Sequence, residues 1–411
     1  MKKYIFLFIV FVTFISSCTE DIDKTFDVEI NKSLYDLSGK EALAIAKTFH
    51  KSVTSTPETR TSIMSLGIKS KYRLDTSGKT RTISNEKAPL IYEIEMNDGI
   101  RNGKVIVSGD KRFPEVLAYI PSFNDSLYKI SPEPNIMVQM AKNALLDKIE
   151  NYETTSLTRS GVANPVPGEV SVMIVPFCRT AWWQGSPYNQ LLPKAWVEYV
   201  EGIGSRPGSS LYENYKTGQA TVAIAQAMAY LQPYLNINGT DIDWNALTKE
   251  KDVTAPYKNM AATLFKYIYD TVGTYPVWGK SYNDTWPQSS ATIVNAVIAM
   301  ETPIKNVSRV LNSSQCGLTC DNDQSWNLDI VKKSLLSLNP VFVGDLNRVA
   351  FLVDGYAINE ENTLYLHCNF GRSDEFNGYY MVYDNGSVVF EPGGYFYRDT
   401  TLGIIANIRN R

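Results

Sequence analysis

The chain has 411 residues, 44% hydrophobic, 20% charged and 12% aromatic, with a formal net charge of −3. These are globular proportions and exclude a largely disordered chain, and the acidic balance argues against broad nucleic-acid binding, which needs a basic face. The two histidines, His50 and His367, exclude most histidine-rich metal sites and leave few candidates for a general base.

Lys2 and Lys3 precede an apolar run, Tyr4 to Ile15, which ends at Ser16-Ser17-Cys18. A positive start, a short apolar stretch and small residues describe a signal peptide, too short for a membrane span. Ile15-Ser16-Ser17-Cys18 resembles a bacterial lipobox. That resemblance implies loss of residues 1–17, lipid attachment at Cys18 and a membrane anchor without a spanning helix. Loss of Lys2 and Lys3 would take the net charge from −3 to −5. Residues 18–29 read as a polar tether. Export places Cys178, Cys316, Cys320 and Cys368 in an oxidising compartment, where three full pairings are open. Cys316 and Cys320 are spaced to close a small disulfide loop. The same spacing is a weak metal signal, and with no histidine nearby zinc is rejected.

The spacing predicts an amphipathic helix over Asp36 to Val53, with Ser38 and Glu41 as a capping box and Ala42, Ile45, Ala46 and Phe49 on one face. His50, near its end, is expected to be solvated or a helix-terminus residue. Residues 51–88 read as a mobile loop. Strands are predicted at Leu90 to Met96, Gly103 to Val107 and Val116 to Ile120, the first two joined by an Asn97-Asp98-Gly99 hairpin. A helix follows from about Pro134 to Tyr152. Residues 30–150 thus make a small α+β unit, 151–168 a linker, and 169–411 a second, larger unit.

The second unit opens with a strand at Glu169 to Val175 and an irregular aromatic segment, Trp182 to Asn189. Gln219 to Leu231 is apolar all round and predicts a buried helix. Helices are predicted around 258–272 and 290–300. Strands follow at Pro340 to Val343, Arg348 to Asp354, Leu364 to Asn369, Gly378 to Tyr383 and Val388 to Glu391. Helices first and an antiparallel sheet after give an α+β layout.

Five blocks of the second unit carry a resemblance. They are Trp182-x-Gln184 with Pro187-Tyr188-Asn189, Gly218 with Ala223-x-Ala225-Gln226-x-Met228, Trp326…Leu338-Asn339-Pro340-Val341…Gly344, Ala350 to Tyr356, and His367-x-Asn369-Phe370-Gly371. In this order they resemble the streptopain-type cysteine peptidases, which have a papain-like fold. The first unit resembles that family's propeptide and inhibitor-like domain, through Glu41-Ala42…Ile45-Ala46…Phe49 and Gly103 to Asp110 followed by Pro114-x-x-Leu117-Ala118-Tyr119.

The resemblance implies a role for each matched position. Ala225-Gln226 and Met228 set the register, which puts Gln219 where the family has its nucleophilic cysteine. Val349 stands where the family has its histidine. Asn369 holds the orienting position and Gln184 the oxyanion position, while Arg372 replaces the last Trp of the Asn-Trp-Gly-Trp pattern. A glutamine amide forms no acyl-enzyme and a valine moves no proton, so loss of catalysis is implied. Thr217, Thr221, Cys178 and the His367–Cys368 pair offer no evident substitute. His367 falls at a motif position that is not the family's base.

The expected protein is therefore a membrane-anchored pseudopeptidase that binds a peptide or protein in the former cleft, without cofactor, metal or nucleic acid. Two alternatives stay open: an active peptidase with rewired residues, and a peptidase inhibitor acting through its N-terminal domain. The Gln219 amide is expected to reach Gln184 or Asn369 directly or through one water.

Overall fold

A computed structural model of the protein describes residues 33–54, 65–74, 88–128, 131–152, 166–198, 210–281, 294–302, 304–345, 349–389 and 399–411. The predicted leader, Cys18, the tether and residues 153–165 of the predicted linker lie outside them.

Helix α1 spans Gly39–Thr54 and buries Ala42, Ile45, Ala46 and Phe49. The Ser38 hydroxyl accepts the Glu41 N–H at 3.3 Å, and the Glu41 carboxylate accepts the Ser38 N–H at 2.7 Å. This is the reciprocal capping that the spacing predicts. The helix starts later than Asp36, because Asp36 is held in a bridge to Asp110 and an ion pair with Arg73 at 2.6 Å.

Strand β1, Ser65–Arg73, lies inside the segment read as a mobile loop. None of its residues is fully buried, so it carries little apolar periodicity. Antiparallel pairing with β2, Leu90–Asn97, makes it a strand. Strand β3, Asn102–Ser108, returns through the predicted hairpin. Gly99 takes a φ of 84° there, and the Asp98 carboxylate accepts the Ile100 and Arg101 N–H groups. Strand β4, Val116–Ile120, and helix α2, Pro132–Glu150, complete this part.

Beyond the linker come β5, Val170–Ile174, and α3, Gln219–Leu231. Ten successive residues of α3, Ala220 to Ala229, are buried, as expected of a helix apolar all round. Helix α4, Lys258–Val272, matches its predicted span. Of the helix predicted around 290–300, residues 290–293 lie outside the described residues and the rest is not helical. Val294–Glu301 is a strand, paired antiparallel with Tyr275–Ser281; its Val294, Val297 and Ile298 favour the extended form. Helices α5, Ile304–Leu311, and α6, Leu328–Leu336, have no counterpart in the sequence reading; at two turns each they give weak periodic signals.

Strands β6, Val341–Gly344, β7, Ala350–Asn359, β8, Leu364–Asn369, β9, Gly378–Met381, and β10, Gly403–Ile405, build the second part of the sheet. Among the described residues one eleven-stranded sheet runs β1-β2-β3-β4-β9-β8-β7-β6-β10 and ends at Gln324–Ser325, with β5 added to β7. The junction is β4 against β9, where Ala118 faces Tyr380 and Tyr119 faces Tyr379. The segments 30–150 and 169–411 therefore share one antiparallel sheet rather than facing each other as separate cores.

Aromatic packing closes the junction. Phe49 of α1 lies 5.7, 5.0 and 6.3 Å, centroid to centroid, from Tyr119, Tyr365 and Tyr379. Helices α3, α4 and α5 pack with Phe342, Ala350, Leu352 and Ile405 of the sheet in a second cluster. No helix of the described residues is long and apolar enough to cross a membrane.

Candidate functional site

The start of α3 organises the site. Gly218 precedes it with a φ of 81°, and the Thr217 N–H donates to the Gln184 carbonyl at 3.1 Å. The segment before Gln184 is fixed from inside. Gln226 Nε2 donates to the Thr180 carbonyl at 2.9 Å, and the fully buried Trp182 packs on Tyr188 and Phe265. Tyr188 donates its hydroxyl to Asp252, and Asn189 donates to the Tyr215 carbonyl at 3.0 Å.

The end of β8 reaches the same place. Gly371 has a φ of 62°, and a Cβ there would lie 2.7 Å from Val222 Cγ1. Only glycine allows this approach to the first turn of α3. Asn369 is buried, and its Oδ1 accepts the Gly371 N–H at 3.1 Å. Arg372 bridges Trp183, next to Gln184. Val349 is 2% exposed, its N–H bonded to Asp345 Oδ1 at 2.8 Å. It precedes by three residues Leu352, the partner of Asn369 in the β7–β8 ladder. The Gln184 segment and the Asn369–Gly371 corner thus both approach the start of α3, with Val349 at the head of the neighbouring strand.

The expected direct hydrogen bond from Gln219 is not formed. The half-buried Gln219 makes no side-chain hydrogen bond among the described residues, and neither does Gln184. The Asn369 oxygen holds the Gly371 N–H, and the tie between the Gln184 segment and α3 runs through backbone.

His367 and Asp354 form a pair that the sequence reading misses. His367 Nδ1 lies 2.6 Å from Asp354 Oδ1, with its ring against Tyr379, while Asp354 Oδ2 accepts the Cys178 N–H at 3.0 Å. Both residues belong to the motif blocks, which is the signal that would have paired them. His50 lies near the end of α1 and is half-buried: its Nδ1 lies 2.8 Å from the Tyr119 hydroxyl, and burial holds its pKa below the ordinary value.

The four described cysteines are free and buried, including Cys316 and Cys320, so the loop disulfide considered for that pair is not formed. Burial, with Asp354 adding to it, pushes the Cys178 and Cys368 thiols well up. Burial pushes Cys316 and Cys320 up to about 12. A nucleophilic thiolate needs the opposite environment.

A charge pair unmarked by the motifs lies beside the site. Arg372 Nη2 reaches Glu133 Oε2 at 3.3 Å; Glu133, in the first turn of α2, is fully buried.

The Peptidase C10 family model matches residues 182–380, and the Spi protease inhibitor model matches residues 34–145. The chain thus carries a streptopain-type Peptidase C10 family domain preceded by a Spi inhibitor-like domain. Streptopain of Streptococcus pyogenes is 24% identical over 301 residues, covering 68% of this chain and 71% of streptopain. Streptopain of serotype M1 is 23% identical over 300 residues. A prointerpain A fragment of Prevotella intermedia aligns with a TM-score of 0.50 at 17% identity, over 78% of this chain and 96% of the fragment. That likeness is one of fold, and it covers both parts of this chain. The α+β, papain-like architecture with an N-terminal propeptide-like part is thereby established.

Proposed function

We propose that this protein is a non-catalytic pseudopeptidase, exported as a lipoprotein through Cys18, that binds a peptide or protein at the former cleft. The single observation that carries the reading is Gln219 as the first residue of α3, where the resemblance puts the nucleophile, with a buried Val349 where it puts the base. The thiols give it further support, since Cys178 and Cys368 are buried and lifted in pKa. The described histidines are engaged elsewhere, with Asp354 and Tyr119.

The N-terminal part is a permanent half of the molecule in this reading. Its β4 pairs in the common sheet, and Lys148 and Glu115 both bond Thr363, at 2.9 and 2.8 Å. An inhibitory unit so committed in cis is poorly placed to block a second enzyme. Beside Gln184, Trp183 is 39% exposed with Lys216 Nζ 5.7 Å from its ring, and Leu191 is 51% exposed. Aromatic and apolar surface of this kind favours peptide contact.

Purified mature protein assayed on casein and unfolded proteins is the test. No turnover, together with saturable binding of an unfolded chain that Trp183→Ala weakens, is the expected result. Turnover lost on thiol alkylation and in Cys178→Ser or Cys368→Ser would overturn the reading. Lipid attachment is read separately: Cys18→Ala should move the protein from the membrane fraction to the soluble one.

A further inference from the structure

A polar cavity of about 210 Å³ lies between α2 and the sheet, away from the α3 site. Lys104, Lys142, Glu93 and Tyr128 line it, with Ile106 and Val138 as its apolar wall. Glu93 is already engaged, by Lys104 Nζ at 3.2 Å and by the Tyr72 hydroxyl at 3.3 Å. Lys142 carries no ion pair among the described residues; its Nζ sits 5.2 Å from the centroid of the Tyr72 ring. The Tyr128 hydroxyl likewise makes no hydrogen bond among the described residues. Lys104 Nζ also reaches Asp125 Oδ1, at 3.4 Å, so Lys142 is the lining ammonium left without an ion pair among the described residues. The neighbouring Asp125, Lys69 and Glu95 are 37–55% exposed, where water and salt screen them.

Lys142 is half-buried; partly desolvating an ammonium without an ion-pair partner is costly, and the cost is relieved when an anion enters. Burial holds the Lys142 pKa down, with Lys104 adding to that and Glu93 opposing it. A cavity of ~150 Å³ accommodates benzene, so this one has space for a ring and a carboxylate.

We propose that this cavity binds a small organic monoanion, a carboxylate with a short apolar body, held by Lys142 and Tyr128 over Ile106 and Val138. The bound carboxylate gives Lys142 the ion-pair partner it lacks among the described residues. Affinity then falls as alkali removes the Lys142 proton, with Glu93, Lys104, Tyr72 and Tyr128 as the other titratable groups facing it.

Calorimetric titration of the full mature chain with benzoate, N-acetylglycine and succinate tests the proposal, with benzamide as the neutral control. The expected result is saturable binding of at least one monocarboxylate. Lys142→Met should weaken it about tenfold or more, as loss of a charged hydrogen bond does, and Lys142→Arg should retain it. The thermal midpoint of Lys142→Met should not fall, because a half-buried charge without an ion pair is removed; this separates lost binding from lost folding. Absence of saturable binding for every acid, equal binding by Lys142→Met, or benzamide binding as tightly as benzoate would each overturn the proposal.

Discussion

Arg372 reaches across the chain to Glu133, which is completely buried. Glu133 Oε1 has no hydrogen-bond partner among the described residues, and burial raises this carboxyl's pKa against the opposing pull of Arg372. Removing one partner of such a pair leaves an uncompensated charge. Arg372→Met should lose about 3–5 kcal/mol in urea unfolding at neutral pH. Glu133→Gln combined with Arg372→Met should recover most of that loss. The sign with pH follows from the raised pKa. Its contribution to stability is full below the ordinary carboxyl value and is lost as pH rises through the higher folded value. Thermal midpoints across that window should fall in the wild type and stay flatter in Glu133→Gln.

The junction of the sheet depends on Gly378. A Cβ there would lie 2.2 Å from the Tyr119 carbonyl oxygen, so backbone must move. Gly378→Ala should cost about 1–3 kcal/mol, the usual range for overpacking. Limited proteolysis should then release the N-terminal part more readily. An unchanged digestion pattern and urea midpoint would show that the β4–β9 pairing is not what holds the halves together.

Asp354 is wholly buried and holds both His367 Nδ1 and the Cys178 N–H. Asp354→Asn keeps the shape but loses the charge on both bonds. A loss of about 2–3 kcal/mol is expected, the scale of a hydrogen bond to a charged group. Chemical denaturation of the variant measures it, and a change under ~0.5 kcal/mol would exclude a structural role for the pair.

Restoring the lost groups probes the register at α3. Gln219→Cys alone should react slowly with iodoacetamide at pH 6. With Val349→His added, the helix terminus and an imidazole should depress the thiol pKa and raise the alkylation rate about tenfold or more. Equal rates for the single and double variants would place Val349 away from the histidine position.

The motif blocks are legible from sequence because they are contiguous and their spacing is carried by single elements. The backbone of Gln184 is bonded to Thr217 just before α3, and Gly371 packs against Val222 in its first turn. Strand β1 was illegible because its residues are held by backbone pairing and show no buried alternate face. The strand at Val294–Glu301 was misread as a helix, since a short apolar run has no period that separates the two.

Length, charge and the two histidines determined by themselves that this chain has few residues able to act as a base, and the blocks determined where a base would belong. Tertiary structure decided what those residues do instead. His367 turns to Asp354, His50 to Tyr119, and Arg372 to Glu133, which lies 239 residues away in the chain. It also decided that two stretches read as separate units share a sheet. Such partners are chosen by burial and by the cost of an unpaired charge, which depend on packing from distant parts of the chain and leave no local pattern to read.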